Sequence, residues 1–137
     1  MYEGRLDMKK RSVVLIPILC AVSAFLLLKT VFLLGYVPSA SMEPTLKQGS
    51  LIVGCRSFGE LRTGDIIIFE REGRLLVKRI AAVGGDTIES IVVPEGCYYV
   101  LGDNAAESFD SRYWMDPFVR ADSVVAKLLL PSCSKVS

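Results

Sequence analysis

Residues 13–36 form an almost unbroken apolar run, and nothing later in the chain repeats that length. As a helix rising about 1.5 Å per residue the run is about 36 Å long, enough to span a bilayer with some tilt. Pro17 falls in its first turns, where a membrane helix tolerates proline. Lys29 is the one charge inside, about two turns from the far end, so its amine can snorkel to that interface. The residues before the run carry Arg5, Lys9, Lys10 and Arg11 against Glu3 and Asp7. A basic flank on that side predicts a cytoplasmic N-terminus over 1–12, an anchor over 13–36 and an extracytoplasmic domain over 37–137.

Two other readings of the run fit less well. A cleaved signal sequence cut after Ala40 would place Pro38 at −3, and the run is long for such a segment. Lipid modification at Cys20 would place bulky Leu19 where a small residue is expected.

Beyond the anchor the pattern changes to short apolar runs broken by turn residues. Strands are predicted at 50–54, 65–69, 75–80, 91–93, 97–101 and 124–130, where β-branched and aromatic residues cluster. Polar residues and a glycine at 70–74 predict a hairpin turn between the second and third of these. Gly84-Gly85-Asp86 and Pro94-Glu95-Gly96 mark further turns. No stretch after the anchor has a helical period, so the exterior domain reads as mostly β.

Between anchor and strands lies Val37-Pro38-Ser39-Ala40-Ser41-Met42-Glu43-Pro44-Thr45-Leu46. Its two prolines restrict the backbone on either side of Ser39 and Ser41. A serine held this way is either a plain loop residue or a positioned nucleophile. Composition limits the second option. The chain has no histidine, so Ser-His-Asp and Cys-His mechanisms and imidazole zinc sites are excluded. A net charge of +1 gives no sign of a nucleic-acid partner. The cysteines are Cys20, Cys55, Cys97 and Cys133, with no C-x-x-C spacing. Cys20 lies in the anchor, so at most one pair forms within a monomer among the other three, and the sequence does not name it.

A serine nucleophile without histidine needs another base. Lys78 stands in the otherwise apolar run Leu75-Leu76-Val77-Lys78-Arg79-Ile80. Side chains alternate along a strand, so Lys78 and Arg79 point to opposite sides. Either both cations reach outward at a strand end, or Lys78 is buried and uncharged. An ordinary lysine has a pKa near ~10.4, and burial lowers it by disfavouring the ammonium. A neutral amine within reach of Ser41 would then take its proton during attack.

Several blocks carry a resemblance. Ser39-Ala40-Ser41-Met42-Glu43-Pro44-Thr45 resembles the S-x-S-M-x-P-T signature of bacterial type I signal peptidases. The likeness continues at Gly64-Asp65-Ile66-Ile67-Ile68-Phe69, at Lys78-Arg79 followed by Gly84-Gly85-Asp86, at Gly102-Asp103-Asn104 and at Ser108-Phe109-Asp110-Ser111-Arg112-Tyr113-Trp114. The resemblance implies a single transmembrane helix followed by a small twisted antiparallel β-sheet domain. It implies Ser41 as nucleophile and Lys78 as general base, with the Ser41 amide and Ser39 hydroxyl as the oxyanion hole. Ser108 would orient the lysine amine. Asp103, Asp110 and Arg112 would be structural supports, and Val37, Leu46 and Val77 would line the substrate pockets. No metal or cofactor is implied. The implied substrate is an exported preprotein, bound extended and cut after a small residue at −1, with another small residue at −3. Membrane lipid and the secretion translocon are the other implied partners.

The chain departs from the family pattern in places. Ala105 and Glu107 replace the usual Arg and Asn, and Met115 stands where glycine is common. Gly84-Gly85 replaces a Leu-Pro-Gly type of sequence, and the segment 86–93 is too short for a hairpin often found there. These leave the shape of the cleft open and suggest a minimal version of the fold. A self-cleaving Ser-Lys repressor peptidase fits less well, because the chain has an anchor and no N-terminal DNA-binding domain. A maturation peptidase with one dedicated client and an inactive anchored β-domain are further alternatives.

Overall fold

The structure is a computed structural model that describes residues 3–130, with side chains over 10–129. Two compact units follow one another along the chain, a helix up to Val31 and a sheet domain from Phe32. Helix α1 (Glu3–Val31) contains Pro17, and its stretch Lys10–Val31 is long and apolar enough to cross a membrane. Two of its polar side chains donate back to the helix backbone. Ser23 Oγ donates to the Cys20 carbonyl at 2.9 Å and Thr30 Oγ1 to the Leu27 carbonyl at 2.8 Å. Lys29 Nζ lies 5.1 Å from the centre of the Phe25 ring. In lipid such internal partners are required, because no water is available to supply them.

The apolar run does not continue as helix to Tyr36. Strand β1 (Phe32–Tyr36) begins directly after α1 and pairs with β2 (Leu51–Cys55), with Leu34 opposite Val53 and Gly35 opposite Ile52. The helix within the expected anchor 13–36 therefore ends five residues before Tyr36. Those five alternate between exposed and half-buried. That is the period of a strand with one packed face, and Leu33 packs against the core from it.

Strands β3 (Ile66–Arg71) and β4 (Arg74–Val83) form the expected hairpin, in register from Ile66 opposite Arg79 to Arg71 opposite Arg74. Its turn is only Glu72 and Gly73, both at positive φ, so the strands run further into the polar stretch than composition suggests. Arg71 at the hairpin end lies over the Trp114 ring at 4.2 Å and donates to the Asp116 carbonyl at 2.9 Å. Strands β5 (Thr87–Ile88) and β6 (Ile91–Val92) pair with each other as a small separate hairpin within the short segment 86–93. Strands β7 (Cys97–Leu101) and β9 (Val124–Leu130) match the expected runs, and β8 (Phe118–Arg120) is an additional short strand. Among the described residues the main sheet has the order β1-β2-β9-β3-β4-β7-β8, with every neighbour antiparallel.

The continuous apolar run of β3 is explained by burial on both sides. Ile66 and Ile68 belong to a cluster with Val37, Met42, Leu46 and Ala126. Ile67 and Phe69 belong to a second cluster with Leu61, Ile80, Val100 and Val119. Burial of each large side chain contributes roughly 1.5–3 kcal/mol relative to exposure. The two clusters fix β3 and with it the register of β4, which carries Lys78. No disulfide joins Cys20, Cys55 and Cys97; Cys133 lies outside the described residues.

Candidate active site

After β1 the chain cannot stay in the sheet, because Pro38 lacks an amide to donate. It turns through Ser39, which is extended, into a single 3-10 turn over Ala40–Met42. The turn is fastened from beneath and from both ends. Met42 and Leu46 are almost fully buried, and the Leu46 amide donates to the Met42 carbonyl at 2.9 Å. The Gln48 side chain donates to the Pro38 carbonyl at 2.9 Å. Ser41 therefore sits on a segment with little freedom.

Lys78 lies in the middle of β4 and is 4% exposed, while Arg79 next to it is half-buried on the opposite side. The amine Nζ is 2.7 Å from Ser41 Oγ and 3.1 Å from Ser108 Oγ. Both serines are buried as well, at 7% and 6% exposed. Burial is the chief influence on the amine and lowers its pKa from the ordinary lysine value. Asp110 and Asp103 act in the raising direction and Arg112 in the lowering direction. Ser39 Oγ lies 3.2 Å from Ser41 Oγ, so the two hydroxyls border the same space.

Ser108 is held in turn by Asp110. Its hydroxyl donates to Asp110 Oδ2 at 2.6 Å, and the Gly102 amide donates to the same oxygen at 2.9 Å. Arg112 grips this carboxylate with Nε on Oδ1 at 2.9 Å and Nη2 on Oδ2 at 2.8 Å. Asp110 is completely buried. Burial alone would push its carboxyl up, but the bonds from Arg112, Gly102 and Ser108 outweigh it and hold the pKa at about 2. Asp110 is thus an anion throughout the neutral range.

A second network ties the sequence blocks together. Arg79 donates to Asp103 through Nε at 2.8 Å and Nη2 at 2.7 Å, and to the Gly64 carbonyl at 2.8 Å. Thr45 Oγ1 also donates to Asp103. Burial opposes ionisation of Asp103, but the bonds from Arg79 and Thr45 win and lower its pKa. Asn104 follows. Its amide donates to the Ser41 carbonyl at 3.0 Å and its side chain to the Ala40 carbonyl at 3.1 Å. Asn104 thus clamps the turn that carries Ser41. The sequence placed it in a matching block but gave it no role; its position two residues after Gly102 was the available signal.

A cavity of about 170 Å³ opens beside Ser41 and Lys78. Its walls include Val37, Pro38, Ser39, Ile68, Leu76 and Val77, and they are mostly apolar. Val37 and Val77 are among its walls. Leu46 is not. It lies beneath, 2% exposed in the core with Val37 and Met42, because it is the plug that anchors the turn. Among the described residues no group of three or more Cys, Asp or Glu side chains is spaced to hold a metal ion.

The arrangement places a desolvated amine against a serine hydroxyl at the rim of an apolar cavity, with a buried, oriented serine behind the amine. That is the equipment for nucleophilic attack by an oxygen. The profile of the family described as "Signal peptidase, peptidase S26" matches residues 9–91 and 89–133. The chain belongs to the S26 signal peptidase family. Among known relatives, the probable signal peptidase I-1 of Synechocystis sp. is 29% identical over 119 residues, covering 58% of this chain and 61% of the relative. The probable thylakoidal processing peptidase 2 of Arabidopsis thaliana is 30% identical over 118 residues, covering 57% of this chain and 32% of the relative. An inactive signal peptidase IA of Staphylococcus aureus is 32% identical over 85 residues, covering 59% of this chain and 49% of the relative. These matches span 61% or less of the relatives' lengths. With an inactive protein among the S26 relatives, membership alone does not assign activity, and the assignment turns on the residues.

Proposed function

We propose that this chain is a membrane-anchored serine endopeptidase that removes signal peptides from exported preproteins. In this reading it cuts after a small residue at −1, with another small residue at −3. The observation that carries the reading is the 2.7 Å contact between the buried Lys78 amine and Ser41 Oγ. The neutral amine accepts the Ser41 proton as Oγ attacks the scissile carbonyl. The Ser41 amide and the Ser39 hydroxyl donate to the oxygen that becomes negative. The Lys78 ammonium then protonates the departing amine, which leaves an ester on Ser41 and a neutral base. That base activates the water that hydrolyses the ester.

The mostly apolar cavity beside Ser41 suits small side chains at −1 and −3, with Val37 and Val77 as its walls. Helix α1 would anchor the chain, with the basic N-terminal flank in the cytoplasm and the sheet domain outside. There the site meets the end of the substrate's own apolar helix, in contact with membrane lipid and beside the translocon. The inactive alternative is disfavoured because Ser41, Lys78 and Ser108 are all retained and the Lys78 amine contacts both serines.

The test is cleavage of a purified preprotein by the full chain in detergent, with the new N-terminus mapped by mass spectrometry. The expected result is a single cut after a small residue, with no product from Ser41→Ala. Equal product from Ser41→Ala would overturn the reading.

A further inference from the structure

A second cleft, of about 340 Å³, is lined by Ala105, Ala106, Glu107, Ser108, Phe109 and Tyr113. None of these residues borders the apolar cavity beside Ser41. Lys78 relates this cleft to the chemistry. The amine that takes the Ser41 proton returns it to the departing nitrogen, so the peptide beyond the cut starts within reach of Lys78 Nζ. Ser108 Oγ is 3.1 Å from that atom, and Ser108 is also a wall of the cleft. At about 3.3 Å per extended residue, three residues after the cut cover about 10 Å. The turn that carries Glu107 is tied to the Ser41 segment. The Glu107 amide donates to the Asn104 carbonyl at 3.1 Å, and the Asn104 amide donates to the Ser41 carbonyl at 3.0 Å.

The cleft has the composition of a site for a cationic side chain. Phe109 and Tyr113 are exposed, and their rings stack with centres 5.9 Å apart and planes 10° from parallel. Glu107 is the one charged residue lining the cleft. It is exposed, and among the described residues its carboxylate is in no ion pair. Arg112 lies 5.4 Å from the Tyr113 ring, but its guanidinium is committed to both oxygens of Asp110. The departures from the family pattern point the same way. Ala105 removes the usual cation and Glu107 adds an anion where asparagine is usual. An aromatic face beside a carboxylate holds a long basic side chain by its apolar stem and by its charge.

We propose that Glu107, with the Phe109–Tyr113 pair, selects preproteins that carry a lysine or arginine within the first three residues after the cut. This rests on the Ser-Lys reading above and extends it to the far side of the scissile bond.

The test is kcat/KM for cleavage of a preprotein series by the full chain in detergent. Every member has the same signal peptide through −1 and carries lysine, alanine or glutamate at +1, +2 or +3. Wild type should cut the lysine form roughly fivefold faster than the glutamate form at one or more of these positions, the scale of an exposed ion pair made against one repelled. Glu107→Lys should reverse this ratio, and Glu107→Gln should bring it close to one. Added salt should flatten the wild-type ratio, because exposed charges are screened. A ratio within one enzyme does not depend on the fraction of protein that is folded or active, so a variant that merely loosens the turn leaves it in place. A wild-type ratio near one at all three positions, or the same ratio in wild type and both variants, would overturn the proposal. If Glu107→Lys does not fold, Glu107→Gln decides by the same ratio. A wild type that cuts no member of the series is a different failure, that of the Ser-Lys reading itself.

Discussion

Replacing Lys78 with arginine should lower preprotein cleavage roughly a thousandfold or more, the scale of losing a general base. Arginine keeps a positive charge and a long side chain but does not release its proton at accessible pH. It would also force a permanent charge into a site where the native side chain is 4% exposed. Lys78→Met serves as its partner, since methionine fills the same apolar channel without charge. Both variants should be inactive, yet their stabilities should diverge. Lys78→Arg should lose roughly 2 kcal/mol or more by denaturant unfolding, because an unpaired buried charge is costly. Lys78→Met should lose less, having only two hydroxyls to leave short of a partner. A Lys78→Arg protein with a near-normal rate would show that position 78 does not accept the Ser41 proton.

Gly102→Ala should produce the second large effect, although residue 102 has no reacting group. A Cβ there would stand 2.5 Å from Ser108 Cβ and 2.6 Å from the Ser41 carbonyl oxygen. Real contacts of that length do not occur, so either the nucleophile turn or the Ser108 segment must move. With no Cβ at Gly102, the residue that follows β7 lies close against both Ser108 and the Ser41 carbonyl. Overpacking of this kind costs about 1–3 kcal/mol. A displacement near 1 Å in a catalytic group costs roughly a hundredfold in rate. The measurement is kcat/KM beside a melting curve at a temperature where the variant is folded. Retention of the wild-type rate would mean that the contacts around Gly102 do not set the geometry of Ser41 and Ser108.

The site was more legible in the sequence than the contacts that build it. Strand alternation required Lys78 and Arg79 to diverge, and they do, one into the buried site and the other onto Asp103. The β3–β4 hairpin was legible because its turn residues interrupt two apolar runs. The boundary at Val31 was not. A stretch that is apolar at nearly every position carries neither a clear period of 3.6 nor one of 2, so helix α1 and strand β1 look alike until Gly35 and the pairing with β2 are known. Strand β8 is three residues long and preceded by Pro117, too short for a pattern. Leu46, expected as a pocket wall, packs in the core with Val37 and Met42, and an apolar residue in either place reads the same in the sequence. Asn104 was passed over because a backbone clamp depends on which carbonyls come near, and those belong to residues 64 positions away or nearly so.

One property carries the entire account: the amine at position 78 is uncharged at the pH where the protein works. Titration by carbon-13 and nitrogen-15 NMR on lysine-labelled full chain would read it directly, with the Lys78 signal assigned from its loss in Lys78→Met. The expected result is a midpoint well below the ordinary lysine value near ~10.4, with the shift following from burial beside Ser41 and Ser108. A midpoint at or above that ordinary value would leave an ammonium facing Ser41 and would contradict the mechanism.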